Sequence, residues 1–132
     1  RYAWFYLDRP HMYPDDTPVH ALASFYLALN DRDLPAAYRM LSPAAQSARA
    51  YPDWALGFST TLRVEVGAVR VTAQEGDQAT VAAQVRALDN VDGRVIATVY
   101  AVKWQMVRLE ESWRLDSGTV EPLEQWEVRY YP

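Results

Sequence analysis

The chain contains no cysteine. Disulfide stapling, thiolate catalysis and cysteine metal sites are therefore excluded. Its two histidines, His11 and His20, form no HxH or HExxH pair, and no metal site is predicted. No apolar run approaches the roughly 18 residues a membrane-spanning helix needs, so no such segment is expected within these residues. No glycine-rich loop follows a strand, so no phosphate cradle and no cofactor is predicted. Lysine is nearly absent, one residue (Lys103) against twelve arginines. Arginine suits bidentate pairing and stacking, but the plainer explanation of the ratio is genomic composition bias. The net charge is −4 and no basic patch is visible, which argues against a nucleic-acid partner.

Apolar residues make up half of the 132, enough for a single domain with a sizeable core. The segment 1–17 is aromatic and broken by Pro10 and Pro14, and reads as an N-terminal extension lying across the domain. Thr17-Pro18 is a helix start, with Thr17 as N-cap and Pro18 at N1, where a missing N–H costs nothing. Val19, Leu22, Ala23, Tyr26 and Leu29 recur at helical spacing, predicting a helix over 18–30. Asp33 caps a second helix carrying Leu34, Ala37, Tyr38 and Leu41. Ser42-Pro43 starts a third, running to about Arg49. Tyr51-Pro52-Asp53 breaks it, and DWALGFS reads as a last turn or a short helix that Gly57 ends.

From Thr61 the period changes to two. Leu62, Val64 and Val66 share one strand face, and a slip at Gly67-Ala68 predicts a bulge. Val81, Ala83, Val85 and Ala87 share a face of the next strand, followed by a turn at Asn90-Val91-Asp92-Gly93. Ile96, Thr98, Tyr100, Val102, Trp104 and Met106 share a face of a third strand of about 15 residues, which would span roughly 50 Å. So long a strand is expected to bend over the helices. A last strand opens at Trp113 and Leu115 and stops near Asp116-Ser117-Gly118. The tail 119–132 reads as a C-terminal extension packing on the same domain, either adding a strand or docking beside the aromatic N-terminus.

Three stretches carry a family resemblance: TPVHALASFYLALNDRDLPAAYRMLSPAAQ, DWALGFSTTLRVEVGAVRV and VKWQMVRLEESWRLD. They resemble, in order, the opening helices, the short helix leading into the first long strand, and the closing hairpin of the NTF2-like superfamily. That group includes SnoaL-like proteins and ketosteroid isomerases. The resemblance covers about residues 18–116. It implies an α+β, cystatin-like cone, with N-terminal helices packed on a strongly curved antiparallel sheet and a pocket between them.

An isomerase-like site needs a carboxylate base and acidic donors in an apolar pocket. Tyr26 is suitably placed as a donor. No carboxylate falls on an inward strand position: Glu65 opposes Val64 and Val66, Asp89 and Asp92 read as turn residues, and Asp116 closes the last strand. Asp31, Asp33 and Asp53 are explained by turns and caps. No catalytic residue is therefore assigned. Arg63 and Arg86 are candidate buried arginines without an evident acidic partner, and the plainer reading is that both are solvated. Tyr26, Tyr38, Trp54, Arg86, Tyr100, Trp104 and Trp113 are the candidate ligand-binding residues, although aromatic stripes at such spacing ordinarily belong to the core. Trp4, Phe5, Tyr6, Trp126, Tyr130 and Tyr131 are candidates for an interface with a partner chain or domain.

The expected function is a non-catalytic accessory domain binding a small apolar ligand or a partner protein. The start at Arg1 rather than methionine fits removal of an upstream signal or anchor, so a bacterial extracytoplasmic or membrane-tethered location is expected. The alternatives are a SnoaL-like enzyme (isomerase, dehydratase or hydrolase) with an apolar pocket, and a structural module that forms a homodimer through the sheet.

Overall fold

The structure is a computed structural model describing residues 7–129. The interface candidates Trp4, Phe5, Tyr6, Tyr130 and Tyr131 lie outside the described residues. Thr17 accepts a hydrogen bond from the His20 amide at 3.2 Å and starts α1 (Pro18–Asn30). Asp33 caps α2 (Leu34–Arg39) through the Ala36 amide, and Ser42 caps α3 (Pro43–Ala48) through the Ala45 amide. Each of these helices opens with proline in its first turn, as the sequence signals require. Tyr51 and Pro52, read above as a break, instead form the first turn of α4 (Tyr51–Leu56). Proline at the second helical position removes an amide that has no partner there anyway.

The strands are β1 (Thr61–Glu75), β2 (Gln78–Val91), β3 (Arg94–Leu109) and β4 (Ser112–Val128). They form one antiparallel sheet in the order β1-β2-β3-β4. Three two-residue loops join them. Asp92 and Gly93 both have positive φ (53° and 83°), which suits the right-handed twist of a tight hairpin. The turn is thus narrower than Asn90–Gly93, and β2 runs on to Val91.

The expected cone is corrected. The sheet is an open meander, neither strongly curled nor closed, and β1 and β4 are its two edges. The register explains this. Bulges interrupt the β1–β2 and β3–β4 ladders, but the central β2–β3 ladder is continuous from Gln78–Val107 to Val91–Arg94. Strong bending needs bulges that re-aim neighbouring strands together, and the middle of this sheet has none. The bulge expected at Gly67-Ala68 is present, with Ala68 at φ 54°. A second bulge between Thr61 and Arg63 buries Thr61 and leaves Leu62 39% exposed, so Leu62 does not share the inward face of Val64.

The last strand does not stop near Gly118 but continues to Val128, pairing with β3 as far as Val95. Pro122 is tolerated because β4 is an edge strand, where a missing amide breaks no second ladder. Both edges are partly covered. Leu7 bridges Gly67, and the Asp8 amide donates to the Val66 carbonyl at 2.9 Å. At the other side Leu41 bridges Leu115, and Ser42 donates its amide to the Leu115 carbonyl at 2.8 Å. Such cover blunts the tendency of a free edge to recruit other strands.

The core lies between α1 and one face of the sheet. Leu22, Phe25, Tyr26 and Leu29 pack on Val64, Val66, Val81, Ala83, Val85, Val102 and Met106, with Trp113 and Leu115 closing one end. The end of α1 is pinned to β1: Asn30 accepts from the Val64 amide at 2.9 Å, and Arg32 donates to the Thr61 carbonyl.

Candidate functional site

Between α1, the segment after α4 and the helix-facing side of the sheet lies a cavity of about 400 Å³. Its walls are mainly apolar, with Leu29, Phe58, Val64, Val85, Ala87 and Val102 among them. Tyr26 and Tyr100 face it, as do the polar side chains of Thr61, Asp89, Thr98 and Gln125.

Asp89 corrects the sequence reading. It is a strand residue, not a turn residue, and it continues the inward face of Val81, Ala83, Val85 and Ala87. The signal was in the alternation, which needed only one more step of two. Asp89 Oδ1 accepts hydrogen bonds from the hydroxyls of Thr60 and Thr61 at 3.2 and 3.1 Å. Both threonines come from the chain entering β1, so the bulge that buries Thr61 also fixes the carboxylate. Asp89 Oδ2 has no hydrogen bond among the described residues. A carboxylate oriented through one oxygen and open at the other has an oxygen within reach of a proton on a bound molecule.

The phenols lie deeper. Asp89 pairs with Ile96, four residues before Tyr100 on β3, which separates the two levels by roughly 13 Å of strand. Tyr100 is half-buried and its hydroxyl has no hydrogen bond among the described residues. Thr98, between these levels, is buried and accepts from the Gln125 amide at 3.0 Å. Tyr26 is buried, and its hydroxyl accepts from Trp104 Nε1 at 3.0 Å. Burial pushes its phenol up to about 12, partly offset by the Trp104 hydrogen bond.

Of the seven predicted site residues, Tyr26 and Tyr100 line the cavity and Trp104 touches it through Tyr26. Tyr38 and Trp54 stack instead in a helix-borne aromatic cluster, at 5.2 Å from each other, with Tyr51 and Phe58 beside them. The Tyr38 hydroxyl is taken up by the carbonyls of Gln46 and Arg49 at 2.9 and 2.7 Å. Trp113 is a core residue that borders a separate groove with His20, Arg39 and Arg114. Arg86 lies on the far face of the sheet. It does have an acidic partner, contrary to expectation: Glu65, directly opposite in the register, at 2.6 Å. Both side chains are at most 15% exposed, so the pair is a buried strut rather than a pair of solvated ends. Arg63 is exposed.

Among the described residues no group of three or more His, Asp or Glu side chains could hold a metal ion, and no helix is long and apolar enough to cross a membrane.

No protein-family model and no curated protein matches the chain. Among solved structures it is similar to a protein of Novosphingobium aromaticivorans provisionally described as an aromatic ring hydroxylase. The likeness covers 86% of this chain and 93% of the other, with a TM-score of 0.66 at 15% identity. The fold is NTF2-like. At that identity the likeness is one of fold. The expectation of a non-catalytic accessory domain is overturned: the protein sharing this NTF2-like fold is described as an enzyme, and the inward carboxylate whose apparent lack had argued against catalysis is Asp89.

Proposed function

We propose that the protein is a SnoaL-like enzyme that uses Asp89 as a general base on a small, largely apolar substrate. The observation that carries this reading is the carboxylate itself, fixed by Thr60 and Thr61 through Oδ1 and open at Oδ2 on the wall of an apolar cavity. Isomerisation, dehydration and hydrolysis, the three reactions considered for a SnoaL-like enzyme, can each begin with transfer of a proton to such a base. In the first two, the proton leaves a carbon of the substrate for Oδ2. The C–H electron pair then passes toward an adjacent carbonyl or leaving group. In hydrolysis the proton comes from water. Thr60 and Thr61 keep the carboxylate oriented throughout. The walls formed by Phe58, Tyr100, Val85 and Val102 favour a ring as the body of the substrate. The description of the structural relative as acting on aromatic rings supports the same choice.

The test is exchange in deuterated water. A panel of cyclic and aryl ketones is incubated with the protein, and deuterium at the carbon next to the carbonyl is followed by NMR. Asp89→Asn keeps the acceptor for the threonines and removes the base. Loss of exchange by about 10²–10⁴-fold is expected. Equal rates in the two proteins, or no exchange or turnover with any member of the panel, would overturn the reading.

A further inference from the structure

A second groove lies between the first half of α1, α2 and the start of β4, with a volume of about 460 Å³. It shares no lining residue with the cavity of Asp89. Its volume falls within the ~300–1,000 Å³ usual for small-molecule sites. Ala21, Ala36, Met40 and Trp113 give it an apolar floor. Arg39 and Arg114 line it as well, together with the hydroxyls of Ser24 and Ser112. Neither hydroxyl has a hydrogen bond among the described residues.

Neither guanidinium is spent on a carboxylate. Arg114 donates through Nη1 to the Arg39 carbonyl at 3.0 Å. That bond satisfies a carbonyl at the end of α2 and fixes the Arg114 head at the groove. Its other N–H groups, and the whole Arg39 head, have no hydrogen bond among the described residues. The acids nearby are engaged elsewhere or apart. Asp16 accepts two hydrogen bonds from Arg108, at 3.2 and 2.7 Å, and that guanidinium holds its carboxyl below the usual range. Asp15 stands 3.3 Å from His20 Nε2. Glu111, also on the lining, forms no ion pair with Arg39 or Arg114 among the described residues. Acids outnumber bases in this chain, 17 to 13, so carboxylates were not scarce. The positive end of α1 also faces the groove, but Thr17 already takes the His20 amide. The donors open to a ligand are therefore side chains.

We propose that this groove binds a small organic carboxylate, with its charged end on Arg39 and Arg114 and its apolar body over Ala36 and Met40. A guanidinium is a planar fork of donors that matches the two oxygens of a carboxylate. The apolar floor adds a reason to prefer an anion with a hydrocarbon body over a bare inorganic one. The groove is a site apart from the cavity, and the proposal stands whether or not Asp89 acts as a base.

The experiment is an NMR titration of the ¹⁵N-labelled protein with benzoate, with benzamide, which keeps the ring but is neutral, and with inorganic phosphate. Benzoate is expected to shift the amides of Ala21, Ser24, Ala36 and Ser112, and to bind at least about tenfold tighter than benzamide, the value of a charge-assisted hydrogen bond. Phosphate, which lacks the apolar body, is expected to bind more weakly than benzoate. Arg39 is exposed and unbonded, so Arg39→Gln should fold as the native chain does. It is expected to weaken benzoate about fivefold and to leave benzamide unchanged. Arg114→Lys keeps the charge without the fork and is expected to weaken benzoate about threefold. A merely structural role for Arg114 would weaken both ligands alike, and that result would remove it from the site. Asp89→Asn should bind benzoate as the native protein does, which separates this site from the proposed reaction. The proposal is overturned by absence of saturable benzoate binding, by parity of benzoate and benzamide, by phosphate binding as tightly as benzoate, by shifts confined to the cavity of Asp89, or by a preference that survives Arg39→Gln undiminished.

Discussion

Replacing Gly118 by alanine tests how tightly the inner wall of the site is built. The added methyl would stand 2.9 Å from two carbons of the Trp104 ring, well inside the ~3.5–4.0 Å at which carbon atoms attract. The indole has little room to yield, since Phe25 packs against it and its N–H is bonded to Tyr26. Overpacking of this kind costs about 1–3 kcal/mol. Against this, alanine restricts the unfolded chain and returns about 0.4–1 kcal/mol where the backbone is compatible. Gly118 does not have positive φ, so no backbone strain is added. The net expectation is a loss of about 1–2 kcal/mol, read as a lower urea midpoint at unchanged slope. Repeating the substitution in a Trp104→Ala background removes the ring from the contact. The cost of Gly118→Ala should then shrink by at least about 0.5 kcal/mol. A neutral or stabilising Gly118→Ala, or the same cost in both backgrounds, would refute the reasoning that the ring contact is what excludes a side chain.

Other perturbations reach separate features. Glu65→Gln leaves Arg86 buried opposite a neutral side chain and is expected to cost about 3 kcal/mol in urea unfolding, with a Glu65→Leu/Arg86→Met double variant recovering much of it. Glu110 and Glu111 form the β3–β4 loop with φ of 50° and 67°, so Glu110→Asn with Glu111→Gly should raise stability by about 1 kcal/mol or more, seen as a higher melting temperature. Ala68→Gly relieves the same left-handed strain at the β1 bulge and should stabilise by up to about 1 kcal/mol. Tyr13 and Tyr26 both have phenols raised to about 12 from an unfolded value near 10. Between those values the unfolded chain releases the protons first, so stability present below pH ~10 should fall as pH rises toward ~12. Tyr26→Phe should flatten that decline in a pH series of urea titrations.

Much of the framework could be read in residue order. The caps Thr17, Asp33 and Ser42, each followed by proline in the first turn, mark helix starts because they meet local hydrogen-bond needs. The alternation from Thr61 onward marks strands because side chains on a pleat point to opposite faces. The slip at Gly67-Ala68 announced its bulge for the same reason.

What lies between distant segments was not legible. The inward place of Asp89 depended on where β2 ends, and the tight Asp92-Gly93 hairpin set that two residues later than composition suggested. The Glu65–Arg86 pair required the register of two strands, and register is fixed by a whole face packing at once. The open sheet followed from an unbroken central ladder that no single strand records. The bond between Trp104 and Tyr26 joins residues 78 positions apart, and only the packing of α1 on β3 brings them together. Local rules act over a few neighbouring residues and survive in the order of the chain. Partnerships across the sheet depend on how every element settles against the others, and they exist only once the core has formed.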